Sequence, residues 1–327
     1  MNLPRVMNLP RVIAVIAAAA IAFLAPAHAQ DWPNRPVHVI VPFAAGGSTD
    51  VAARLVAQYL SRTLGQQFVI ENRTGANGNV AMDAVAKSAP DGYTIMVSTD
   101  ALVNNPHIYK VNYDALKDFT PIIQLSRQPV VIAVHPSLGV NTLSELAALA
   151  KSNPGMGFGT GSGFGSGQSI VMLWFARVAG IKLEQVAYRG GGQAINDLLA
   201  GHVKIGALGS TPLIPHYRAG TLKLLVQSTA VRSSSLADVP TFAEAGIQGI
   251  VFDQWIGVFV PAGTPAAIAA RLNAEIGKAL QEPAVRDSFL KAAQDPVGGT
   301  PDAFAAVLRH DFTALEKLAK EFAVKVN

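Results

Sequence analysis

The chain has 327 residues, half of them apolar, a formal net charge of +4 and no cysteine. Without cysteine there is no disulfide framework, no thiol nucleophile and no lipid-attachment site. The basic residues are scattered, with Arg5 and Arg11 close to the start, so no basic stripe presents itself to nucleic acid.

The first six residues, Met-Asn-Leu-Pro-Arg-Val, recur as residues 7–12, and Met7 is read as the initiator. An apolar run over 12–25, closed by Pro26 and followed by Ala27-His28-Ala29, has the layout of a secretory signal peptide. It is shorter than the roughly 20 apolar residues a membrane span needs. Residues 1–29 are therefore expected to be a leader cleaved after Ala29, which marks the protein for export.

Beyond the leader, β-rich runs at 37–41, 68–71, 94–98, 122–125, 130–135, 184–188, 203–207, 221–229 and 256–260 alternate with helical patterns. The helical patterns fall at 51–64, 80–87, 143–151, 170–179 and 194–200, with two more near the C-terminus. This alternation predicts α/β architecture, with mostly parallel sheets covered by helices. About 300 residues exceed one comfortable core and predict two lobes with a cleft between them. Ligands in such sheets collect at the carboxyl ends of the strands, where the loops 43–50, 72–79 and 161–169 fall.

The loop 43–50 is the first candidate site. A short strand enters Gly46-Gly47 and then a helix whose first turn Ser48, Thr49 or Asp50 can cap, so unpaired amides face whatever lies beyond the strand. Asp50 reads as a capping or loop-bracing residue rather than a general base. The second candidate is the run Gly155, Gly157, Gly159, Gly161, Gly163, Gly165 and Gly167. Its period of two suits a strand with a closely approached backbone and matches neither a dinucleotide fingerprint nor a phosphate loop. Ser162 and Ser166 lie in no nucleophile elbow. A third, Tyr188-Arg189-Gly190-Gly191-Gly192, ends a strand before a helix and offers Tyr188 and backbone amides to a ligand. The histidines lack metal-ligand spacing, so no metal is expected, and with no cysteine, nucleophile elbow or nucleotide fingerprint no cofactor and no catalytic residue is expected either.

Read together, 41–50 (VPFAAGGSTD), 71–79 (ENRTGANGN), 89–94 (APDGYT), 238–241 (DVPT), 244–246 (EAG) and 261–265 (PAGTP) resemble the Bordetella uptake gene family. These are periplasmic solute-binding receptors of tripartite tricarboxylate transporters. The resemblance runs from about Trp32 to the C-terminus. It implies a two-lobed type II periplasmic-binding-protein fold: 30–126 begin lobe 1, 127–252 form lobe 2, and 253–327 return to lobe 1. It further implies that Phe43, Ala44, Gly46, Gly47 and Asp50 form or brace one wall of a carboxylate site and that Gly165, Ser166 and Ser169 form the other. Thr99, Tyr188, Gly190 and Ser210 complete the expected set.

Two departures from the family pattern bear on the ligand. Ser169 replaces the usual histidine of the 165–169 motif. Leu208 falls where an acidic residue is usual, with Ser210 and Thr211 nearby, which disfavours an amino acid and points to a plain carboxylate. The expectation is a monomeric receptor that captures a small organic carboxylate by lobe closure, passes it to the large and small membrane subunits of a transporter, and catalyses nothing. The alternatives are an exported small-molecule hydrolase, and a ligand-sensing receptor for a signalling partner.

Overall fold

The computed structural model describes residues 32–322, with side chains to residue 317; the predicted leader lies outside them. Among the described residues ten strands are hydrogen-bonded together, eight along one continuous path and two branching from it, and they divide into two sheets. In the first, β1 (Val37–Val41) lies between β2 (Phe68–Asn72) and β3 (Thr94–Thr99), all parallel. β9 (Asp253–Pro261) runs antiparallel to β3 and pairs with the first part of β4 (Phe119–Val134), whose other edge carries β10 (Asp295–Gly298). In the second sheet, β6 (Leu183–Ala187), β5 (Met156–Thr160) and β7 (Ile205–Gly209) are parallel. The end of β4 runs antiparallel to β7 and to β8 (Lys223–Gln227).

The runs at 122–125 and 130–135, expected as two strands, are one strand of 16 residues. β4 pairs with β9 as far as Pro129 and with β7 from Val130 onward. Pro129 has no amide to donate, and it sits where the strand leaves one sheet for the other. β4 is therefore one crossing between the lobes, and the chain returns along β9.

Among the described residues ten helices flank the sheets: α1 (Ser48–Leu64), α2 (Asn79–Ala86), α3 (Ala101–Asn104), α4 (Leu143–Ser152) and α5 (Gly167–Ala179), then α6 (Gly191–Leu199), α7 (Ile214–Arg218), α8 (Ala266–Gln281), α9 (Pro283–Lys291) and α10 (Pro301–Phe322). The C-terminal region holds three helices where two were expected. Glu282 is extended and Pro283 starts α9, because proline fits a first helical turn but not a helix interior.

Strand alternation explains the cores. Val37, Val39 and Val41 face one core of lobe 1 with Val56, Leu60 and Leu272, whereas Ile40 faces another with Phe43, Met82, Met96 and Phe304. In lobe 2, Val130, Ile132 and Val134 pack with Phe158 and Phe175, and Val131 and Ala133 pack with Leu198 and Leu208. Each sheet is thus buried on both faces, as period-two strands covered by helices require.

Candidate functional site

Gly46 adopts a left-handed backbone (φ +83°), which turns the chain from β1 into α1. Gly47 is the N-cap and no side chain caps the helix, so Ser48, Thr49 and Asp50 lie inside the first turn rather than before it. The first amides of α1 therefore have no intrahelical partner and carry the positive end of the helix dipole. Asp50 is buried and its carboxylate faces back into the loop. Oδ2 accepts from Gly46 N at 3.0 Å and Arg54 Nε at 2.9 Å, and Oδ1 accepts from Asn72 Nδ2 at 3.0 Å. Asn72 also donates to Phe43 O at 2.9 Å. Burial alone would raise the Asp50 carboxyl, but the hydrogen bonds from Arg54, Gly46 and Asn72 hold it below its ordinary value.

The glycine run of lobe 2 lies against its neighbours at every second residue. A Cβ at Gly161 would fall 2.6 Å from Gly191 N, at Gly163 2.8 Å from Asn77 Cβ, at Gly165 1.9 Å from Ile108 Cδ1, and at Gly167 2.2 Å from Phe252 Cζ. Asn77 and Ile108 belong to lobe 1, so Gly163 and Gly165 permit the two lobes to touch. Gly163 N donates to Asn77 Oδ1 at 2.8 Å, and Tyr109 donates its hydroxyl to Phe164 O at 2.9 Å. On the opposite side of the cleft, Ala44 N donates to Arg189 O at 3.0 Å. The lobes are closed.

Between them lies a cavity of about 20 Å³, lined among others by Gly47, Ser48, Thr49, Gly161, Gly191 and Gln254. By volume it admits on the order of one water. Its remaining wall is Phe43, Thr99, Ser162, Gln168, Gly209 and Pro212, so backbone, hydroxyl and amide groups face inward and no ionised side chain does. The amino termini of α1 and α6 both reach it. A wider groove of about 810 Å³ crosses the outside of the same loops, past Ala45, Gln193, Pro215 and Lys291. The groove is open to solvent, whereas the cavity gathers the strand ends of both lobes, and the cavity is the better candidate.

Of the residues that the family resemblance implies, Phe43, Gly47 and Thr99 line this cavity, beside Ser48, Thr49, Gly161, Ser162 and Gly191 from the same candidate segments. Ala44, Gly46 and Gly190 form the contact beside it: a Cβ at Gly190 would stand 2.6 Å from Ala44 Cβ. Asp50 sits behind the loop it braces. Gly165 presses on Ile108. Ser166 caps α5, its Oγ accepting from Ser169 N at 3.3 Å, and Ser169 Oγ donates to Gln185 Oε1 at 2.6 Å. Ser210 Oγ donates to Ala293 O at 2.7 Å. Tyr188 lies on the outer side of lobe 2, its hydroxyl bonded to Asp197 Oδ2 at 2.6 Å, and lines a separate concavity with Met156 and His202. Tyr188 follows the last residue of β6 and is absent from the cavity wall, to which Gly191, at the start of α6, contributes instead. Gly191 and Gly161 stand within glycine runs that the sequence displays. Gln254 carries no such signal.

Gln254 belongs to a buried polar chain across the hinge. Its Nε2 donates to Asp100 Oδ1 and its Oε1 accepts from Gln128 Nε2, both at 3.0 Å. Asp100, at the end of β3, accepts on Oδ2 from Asn104 Nδ2 at 2.8 Å and, across the cleft, from Gly167 N of α5 at 3.0 Å. Thr211 Oγ1 donates to Gln128 Oε1 at 3.2 Å and accepts from Gln294 Nε2 at 2.9 Å; the Gln294 amide also donates to Ser48 O at 3.0 Å. Both hinge strands are thereby tied to the first turn of α1. Among the described residues there is no acidic or histidine cluster able to hold a metal ion, and no helix long and apolar enough to cross a membrane.

Two sheets joined by crossing strands, closed over a cavity at their strand ends, define a two-lobed periplasmic-binding-protein fold, and solved structures of that class superpose on it. The family model of the tripartite tricarboxylate transporter family receptor matches residues 52–322, and the chain belongs to that family. Protein BugT of Bordetella pertussis is 35% identical over 98% of this chain and 100% of its own. An R. palustris protein solved with adipate aligns with a TM-score of 0.87 at 34% identity, over 90% of this chain and all of the other. MatC from Rhodopseudomonas palustris, with bound malate, aligns at 0.82 and 33% identity, over 88% of this chain and 99% of its own. The family and these neighbours are binding receptors rather than enzymes.

Proposed function

We propose that this protein is a periplasmic receptor that closes its two lobes on a small organic carboxylate and hands it to the membrane subunits of a tripartite transporter. The observation that carries the reading is the meeting of the α1 and α6 amino termini at one enclosed cavity without an ionised lining. Such amides bind an anion through hydrogen bonds to a charged acceptor, each worth roughly 1.5 to 3 kcal/mol. The adipate and malate found with the neighbouring proteins agree with a carboxylate ligand. The cavity is smaller than any organic acid, so the ligand holds the lobes somewhat farther apart than they stand here, with its carboxylate at Ser48 and Thr49. The leader read at 1–29 accounts for export, with cleavage after Ala29. No reaction is assigned, in keeping with a family and structural neighbours that are binding receptors.

Mass spectrometry of small molecules released from protein purified natively from periplasmic extract tests this. A stoichiometric organic acid supports the reading. A neutral or cationic metabolite overturns it.

A further inference from the structure

We infer that Gln168 is the side chain by which lobe 2 reads the ligand, and that it selects an oxygen acceptor at the end of the acid remote from the gripped carboxylate. The inference rests on the carboxylate reading above and specifies its ligand class.

Gln168 lies in the first turn of α5 and lines the cavity, with 7% of its surface exposed. Its Oε1 accepts from Gly161 N at 2.9 Å. That bond orients the amide, because a backbone N–H can meet only the carbonyl oxygen, and Nε2 is the group left for the cleft. Nε2 has no hydrogen-bond partner among the described residues. So deeply buried an amide nitrogen is costly to leave unpaired unless a ligand or water meets it. Gln168, Gly161 and Ser162 all belong to lobe 2, so the arrangement holds at any separation of the lobes. The neighbouring Ser169 is committed elsewhere: its Oγ donates to Gln185 Oε1, and Gln185 Nε2 donates to Thr160 Oγ1 at 2.7 Å. Gln168 is therefore the side chain of that helical turn with a group to spare for the ligand.

An amide nitrogen donates and cannot accept. It pairs with a carboxylate, hydroxyl or carbonyl oxygen and opposes an ammonium, which likewise only donates. The rest of the wall does not make good that lack for an ammonium. It contains no carboxylate side chain, Gln254 Oε1 is taken by Gln128 Nε2, and Thr99 Oγ1 accepts from Ala101 N at 3.3 Å. The amides of α1 and α6 thus hold one carboxylate, and Gln168 on α5 tests what the remainder of the molecule carries. Because its donor is neutral, a second carboxylate is admitted as well as a hydroxyl, and the charged acceptor makes the stronger bond.

The test is calorimetric titration of the mature protein at about pH 7.5 with two series of acids, each of one chain length and differing only at the far end. Butyrate is set against its terminal hydroxy acid, its diacid succinate and its terminal amino acid, and hexanoate against the same three derivatives, with adipate as the diacid. In at least one series the wild type is expected to bind an oxygen-ended acid about tenfold or more tighter than the methyl-ended one, and the ammonium-ended acid no tighter than the methyl-ended one. Gln168→Glu keeps an acceptor for Gly161 N and puts a negative charge in place of the donor. It should reverse that order, weakening the diacid most and improving the amino acid severalfold. Gln168→Met, the second variant, should bring oxygen-ended and methyl-ended acids within severalfold of each other, and the wild-type order stands without either variant. A methyl-ended acid bound as tightly as every oxygen-ended one by the wild type, or an order unmoved in a folded Gln168 variant, overturns the inference and leaves the carboxylate reading intact. Failure of every acid in both series overturns both.

Discussion

The amide of Ala44 in lobe 1 donates to the carbonyl of Arg189 in lobe 2 at 3.0 Å, so the loop that presents α1 is locked by backbone alone to the loop that presents α6. The contact needs Gly190, because a Cβ there would stand 2.7 Å from Ala44 N. Gly190 itself is extended (φ 178°), a conformation any residue adopts, so alanine costs nothing until the lobes meet. Gly190→Ala is expected to lower ligand affinity by about tenfold or more and to leave the apo melting temperature nearly unchanged. Calorimetric titration and apo melting check this, and small-angle scattering should find the variant more open with ligand present.

Asp50 is expected to act on stability as well as on the site. Asp50→Ala leaves Gly46 N without its acceptor and takes one of two from Asn72 Nδ2, and should cost about 1 to 3 kcal/mol in the apo protein, measured by urea unfolding. The sign with pH follows from its lowered carboxyl. A depressed folded value stabilises above the unfolded value of about 3.9, and that stabilisation disappears as pH falls through the lower folded value. Wild type and Asp50→Asn should therefore differ most above about pH 4 and converge in strong acid.

The fold was largely legible because both faces of each sheet are buried, so apolar runs and helical periods alternate plainly from Val37 to Val260. The continuity of β4 was not, since Pro129 and the charged Arg127 interrupt an apolar pattern that the strand carries through the hinge. At the site, Gly46-Gly47 and the glycine run were visible because a turn and a backbone contact both demand glycine. What each neighbouring side chain does was less visible. Ser169 and Tyr188 stand beside the right loops but spend their hydroxyls on Gln185 and Asp197. Asp100, Gln128, Gln254 and Gln294 come together only through long-range packing, for which no local spacing exists.

Ser166 illustrates that distinction. Its Oγ caps α5, so Ser166→Ala should lower apo stability by about 1 kcal/mol, and Ser166→Thr, which retains the capping hydroxyl without adding charge beside Asp100, should recover most of it. Thermal melting of the three proteins reads the difference.

Asp100 should destabilise the fold near neutral pH. Its carboxyl is raised from 3.8 to about 6, so the folded state holds the proton that the unfolded chain has lost. Stability is lost as pH rises between those two values and stays lower above them. Relative to Asp100→Asn, the wild type should lose roughly 2 to 3 kcal/mol across that interval, read from urea midpoints at a series of pH values.

The central claim is that the cavity grips a charged carboxylate through backbone amides and hydroxyls. Thermal shift with the acid recovered from the native protein, set against its primary amide at equal concentration, tests it most directly. The account predicts stabilisation by the acid of about 2.7 kcal/mol at a hundredfold excess over Kd, and no measurable shift from the amide. Equal shifts from acid and amide would contradict it.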